Sequence, residues 1–184
     1  MLRSGSTDER WAAARSLTSP TDTQVLAQVL SEEPESRVRA AILTSLARIG
    51  TAASAAAIVP YIRSNDASLR TGALDALATM PEGVAATLPG LLSDADPDVR
   101  LLACELVRVM PDSEATRLLS ALIHRDNEPN VCAAAIEVLA EVGGPDVLPS
   151  LRRCAERFAE QPFLAFAVRV AIERIGGQTD HRLG

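Results

Sequence analysis

The sequence predicts an all-α fold, a solenoid of about eleven helices laid down as successive pairs. Three observations carry that prediction. The same pattern of apolar residues returns about every thirty residues, the signature of a repeat array. Within each copy the apolar positions fall at helical offsets. The composition is 47% hydrophobic with only 3% aromatic residues and abundant alanine, which favours closely packed helices over a sheet sandwich.

Taken in chain order, the first helices of the pairs are DERWAAARSLTSP (8–20), SRVRAAILTSLARIG (36–50), ASLRTGALDALATMP (67–81), PDVRLLACELVRVMP (97–111), PNVCAAAIEVLAEVG (129–143) and PFLAFAVRVAIERIG (162–176). Aligned on Arg10, Arg39, Arg70, Arg100, Cys132 and Ala165, they step by 29, 31, 30, 32 and 33 residues. Leu17, Leu46, Leu77, Val107, Leu139 and Ile172 share one column, and Val38, Leu69, Val99, Val131 and Leu164 share the column eight before it. The column of Ala12, Ala41, Gly72, Leu102, Ala134 and Ala167 is mostly small, as close helix contact requires. Gly50, Pro81, Pro111, Gly143 and Gly176 end these helices. Five second helices lie between them, three interrupted by Pro60, Pro89 and Pro149, which predicts a late start or a kink at each. One domain over 1–176, with repeats starting near 8, 36, 67, 97, 129 and 162, is followed by a polar tail, GQTDHRLG (177–184), expected to be disordered.

The core D-x-x-[VL]-R-x-x-A-x-x-x-L recurs as Asp96–Val107 and, with a one-residue slip, as Asp66–Leu77. On those residues the chain resembles the HEAT-repeat family, in the short form also seen in phycobilin lyases, over roughly residues 8–176. The resemblance implies a right-handed solenoid of HEAT-like helix pairs, with the second helices lining a concave side.

The stretch DADPDVRLLACE (94–105) places Asp94, Asp96, Asp98 and Glu105 in an EF-hand-like register. Val99 stands where that loop needs glycine, and Val99–Glu105 aligns with helix in every other repeat. The stretch therefore reads as a helix cap, and no metal ligand set is assigned. Asp96, Asp66 and Glu35 each lie four residues before Arg100, Arg70 and Arg39, which predicts an acid-to-arginine ladder between neighbouring repeats.

No catalytic or cofactor-binding residue emerges. The two histidines, His124 and His181, have no partner cluster, and each is followed by arginine rather than the glutamate of HEAT-like metal hydroxylases. There is no lysine, hence no Schiff-base amine and no Walker-type phosphate loop. Cys104 reads as a small core residue, Cys132 replaces a ladder arginine, and Cys154 is the exposed thiol and the best candidate for reactivity. Three widely spaced cysteines fit reduced thiols in a cytoplasm, not a disulfide scaffold. The start, MLRSGSTDER, has no apolar signal core and no run approaches a membrane span, so a soluble cytoplasmic protein, bacterial in its arginine- and alanine-rich usage, is expected. Trp11, Phe158, Phe163 and Phe166 gather near the ends, to close the core or, alternatively, to anchor a partner.

The expected function is a non-catalytic protein–protein interaction module, an adaptor, scaffold or regulatory subunit. Its partner-binding residues on the second helices are Gln24, Gln28, Arg63, Thr87, Arg117, Ser120, His124, Arg153 and Arg157, with Asp66, Asp94, Asp96 and Asp126 from the loops. No cofactor and no membrane are expected, and a dimer is left open. The alternative is a subunit of a bilin lyase-like enzyme gripping a tetrapyrrole. Nucleic-acid binding ranks last, because net charge is -6 and the pI about 5.0.

Overall fold

The computed structural model describes residues 2–182, and among them every regular element is helical. The chain divides into two compact units, residues 1–88 and 89–184, where the sequence reading draws one domain.

In the first unit, α1 (Thr7–Ser16), α3 (Ser36–Ile49) and α5 (Ala67–Ala78) pack side by side in chain order. The second helices α2 (Thr23–Glu32), α4 (Ala52–Ile58) and α6 (Pro81–Ala85) form the other row. Ser6 starts α1 with a reciprocal cap: its Oγ accepts from the Glu9 N–H at 3.3 Å, while Glu9 Oε2 accepts from the Ser6 N–H at 2.8 Å. The apolar columns supply the core, with Val38, Ile42, Leu46, Ala73 and Leu77 fully buried. Between α1 and α3, buried Ser45 donates to the Ala14 carbonyl at 2.8 Å. Gly50 ends α3 with φ of 67°, a left-handed turn that glycine makes without steric penalty.

In the second unit, α8 (Pro97–Val107), α10 (Pro129–Val142) and α12 (Pro162–Arg182) form one row. Helices α9 (Asp112–Arg125) and α11 (Leu148–Arg157) form the other. The short α7 (Leu88–Leu91) lies at the division. Arg108, at the C-terminal cap of α8, ties that row together through Glu105 on its own helix and Glu141 on α10.

The three internal prolines act differently. Pro60 turns the end of α4 into a 3-10 segment, Val59–Arg63. Pro89 lies in α7, which is separated from α6 by a break. Pro149 sits in the first turn of α11, after a 3-10 turn at Pro145–Val147, so that helix begins late. The interruptions give twelve α-helices among the described residues, against about eleven expected. Helix α12 also runs on past Gly176, through residues 177–182 of the expected polar tail; residues 183 and 184 lie outside the described residues. The C-terminal core is closed by Leu164, Val168, Ala171 and Ile175. Phe163 and Phe166, candidates for that role, are exposed instead, at 45% and 57%.

Candidate functional site

The acidic stretch before α8 is a cap. Asp96 Oδ1 accepts the Asp98 N–H at 2.9 Å, and Asp94 Oδ1 accepts the Asp96 N–H at 3.0 Å. Carboxylates at a helix start satisfy free N–H groups and meet the positive end of the dipole. Asp66 does the same for α5, accepting from the Ser68 and Leu69 N–H groups; these bonds, with Arg39 nearby, hold its carboxyl below the ordinary range.

The arginine column forms a ladder. Three arginines reach forward to the acid preceding the next first helix: Arg39 to Asp66 at 2.6 Å, Arg100 to Asp126 through two bonds of 2.6 and 3.0 Å, and Arg10 to Glu33 through two of 2.9 and 3.0 Å. Glu33, and not the predicted Glu35, is the acid of the first rung. Arg10, Arg70 and Arg100 reach back to a loop carbonyl, that of Gly5, Ser64 and Asp94 respectively, at 2.7–2.8 Å. Planar guanidinium suits this double task, since one face of the fork meets a carboxylate while another N–H remains for a carbonyl.

Cys132 occupies the arginine column in α10, and its thiol donates to the corresponding carbonyl, that of Asp126, at 3.5 Å. Arg157 at the end of α11 supplies the missing guanidinium. It donates to the carbonyls of Ile123, His124 and Asp126, each at 2.7 Å, and its Nη2 stands 3.5 Å from Cys132 Sγ. Arg125, at the end of α9, donates likewise to the Leu92 carbonyl at 2.9 Å. These bonds meet carbonyls that a helix end leaves open.

Cys154, expected to be exposed, is buried at 2% because it shares the inward face of α11 with Leu151. Its thiol and that of Cys132 influence one another electrostatically. The influence of Cys132 and the nearby Arg157 charge lower the Cys154 pKa; that of Cys154 and burial raise the Cys132 pKa. Cys104 is a core residue as expected, and burial pushes its thiol up to about 12.

The predicted partner-binding residues fall into separate groups. Gln24 and Gln28 stand exposed one turn apart on α2. Arg63 is exposed in the 3-10 segment after α4, and Thr87 donates to the Val84 carbonyl at 2.8 Å. The second unit brings the others together. Ala115, Leu119, Leu122 and Ile123 point α9 inward, leaving Arg117, Ser120 and His124 along the opposite side. Leu151 and Cys154 orient α11 in the same way, leaving Arg153 and Arg157 outward. His124 Nε2 lies 3.1 Å from Ser150 Oγ, joining the two helices across their outer face. Ser150 escaped the sequence reading because a lone serine carries no signal there. Arg117 is 68% exposed and Arg153 is exposed, whereas Arg157 is committed to its carbonyls. Of the loop acids, Asp126 is only 5% exposed and belongs to the ladder, not to an open groove.

Two rows of packed helix pairs with a ladder between repeats define an α-helical repeat protein. The family model for HEAT repeats matches residues 1–78 and 84–161, and the chain belongs to that family, whose repeats generally bind other proteins. No curated protein matches the sequence. Among solved structures the chain is similar to the crystal structure of an engineered protein, a Northeast Structural Genomics Consortium target. That protein is 18% identical, with 96% of this chain and 94% of the other covered and a TM-score of 0.44. No helix among the described residues is long and apolar enough to cross a membrane.

Proposed function

We propose that the chain is a non-catalytic interaction module, an adaptor, scaffold or regulatory subunit, that binds a partner protein on the outward face of its second helices. The observation that supports this reading is the α9–α11 face. It is an open, two-helix surface with Arg117, His124 and Arg153 presented from rigid elements, and its cysteine is turned inward. Such a surface suits an extended or helical segment of another protein. Two exposed arginines in a chain of net charge -6 favour a segment carrying carboxylates, and the same net charge argues against a nucleic acid. A cytoplasmic location accords with the three free thiols.

The test is affinity purification with the intact chain, identification of captured proteins by mass spectrometry, and titration of the best candidate against the double variant Arg117→Glu, Arg153→Glu. Charge reversal at both positions is expected to weaken binding about ten-fold or more. A partner that binds the folded double variant as tightly as the parent would show that this face is not the one used.

A further inference from the structure

We propose that α12 pairs with α12 of a second copy of this chain, antiparallel and across a two-fold axis, through Phe163, Phe166 and Val170. Spacings of three and four residues put these side chains on one stripe of the helix, and they are exposed at 45%, 57% and 42%. The repeat columns show that the stripe is particular to α12. Counted from the arginine column, the position of Phe163 is held in the five preceding first helices by Asp8, Arg37, Ser68, Asp98 and Asn130. That of Val170 is held by Arg15, Thr44, Asp75, Glu105 and Glu137. All of these residues are exposed, so both columns face outward in every repeat. Water meets polar side chains there in five repeats, and phenyl and isopropyl groups in α12. The core beneath is already closed by Leu164, Val168, Ala171 and Ile175, so packing within the chain does not account for the stripe.

The charges and glycines of α12 identify the occupant. Arg169 and Glu173 are exposed on one flank of the stripe, and among the described residues neither forms an ion pair. Arg174, on the other flank, reaches Glu141 at 4.0 Å. One turn beyond Glu173, Gly176 and Gly177 are exposed, and a Cβ at either would meet nothing within 4 Å. Along its outward side α12 therefore runs bulky apolar, basic, acidic, bare. A two-fold axis beside Val170, perpendicular to the helix, reverses that order. It sets Arg169 opposite Glu173 of the second copy and Phe166 over the bare backbone at Gly176 and Gly177 of the second copy, and each contact occurs twice. A partner of one charge sign would meet either Arg169 or Glu173 with like charge, whereas the chain's own helix satisfies both. The stripe belongs to the row of first helices and the α9–α11 face to the other row, so the inference is independent of which partner that face binds.

Sedimentation equilibrium of the full chain, at concentrations up to about 100 μM, is the test. The mass expected at the top of that range is twice the 19.5 kDa of one chain. The double variant Phe166→Ala, Val170→Glu introduces residue types that other repeats carry in these columns, at Ala40 and Ala133 and at Glu105 and Glu137. It is expected to keep its helical content and to weaken pairing about ten-fold or more. Arg169→Glu sets carboxylates opposite one another and should weaken pairing too, and adding Glu173→Arg should bring it back towards the parent value. A parent mass of one chain throughout, a series of larger species that grows with concentration, a stripe variant or an Arg169→Glu variant that pairs as tightly as the parent, or a double charge variant no tighter than Arg169→Glu alone would each overturn the proposal. Were the stripe variant to unfold, the parent mass and the charge variants still decide it.

Discussion

At the residue scale, what matters for an ion pair is how much water it has lost. Asp126 and Arg100 have side chains 3% and 14% exposed and share two hydrogen bonds; Asp126 also accepts from the Glu128 N–H at 3.0 Å. Asp8 and Arg37 make a pair of similar length, 2.7 Å, but are 81% and 58% exposed. Removing one partner of a covered pair strands the other charge, at about 3–5 kcal/mol, while an exposed pair is worth about 1 kcal/mol or less. Asp126→Ala is therefore expected to cost several times what Asp8→Ala costs, as measured by urea unfolding of both variants. Equal midpoints would show that the ladder is not the anchor of the second unit. The forward reach of the arginines was legible in the repeat columns. The substitution of Arg157 for the missing arginine beside Cys132 was not, because the replacement comes from another helix, 25 residues away in sequence.

At the element scale, most helix starts and ends follow from local chemistry, but one close approach does not. Gly83 lies in α6, where a Cβ would come 2.9 Å from the Gly50 carbonyl oxygen and 3.0 Å from that of Thr51. Both obstacles are backbone, at the turn between α3 and α4, and cannot swing aside. Gly83→Ala should destabilise by about 1–3 kcal/mol through overpacking. Gly90 in α7 has open space around the same position, so Gly90→Ala should be neutral or stabilise by up to about 1 kcal/mol, by restricting the unfolded chain. Thermal unfolding of the two variants distinguishes the cases by sign. Within the sequence the two glycines look alike; only the neighbour across the packed row separates them.

At the scale of the whole molecule, stability depends on carboxylates spread through both units. Glu33 is held below its ordinary pKa chiefly by its bond to Arg10. At Asp126 burial alone would raise the value, but Arg100 and the Glu128 N–H outweigh it and the net shift is downward. A carboxyl whose folded pKa lies below its unfolded one contributes stability that is present above the unfolded value and lost as pH falls through the folded one. Stability is thus expected to hold from neutrality down to about pH 4, near the ordinary carboxylate pKa, and to decline below it as the ladder protonates. Denaturant midpoints measured from pH 7 to pH 3 check this; Glu33→Gln with Asp126→Asn should flatten the decline. A midpoint that rises on acidification would contradict the sign.

The sequence by itself determined the helix-pair repeat, its period, its core columns and the capping role of Asp96. These depend on short-range periodicity and on side chains reaching backbone a few residues away. It also singled out Arg117, His124 and Arg153 as polar positions of the second helices. Tertiary structure alone decided that Cys154 turns inward, that Phe163 and Phe166 remain outside the core, and that Arg157 belongs to the repeat joint. Each of those outcomes depends on which helix lies alongside. A one-dimensional pattern records that a face is apolar or polar, but not which atoms stand opposite it.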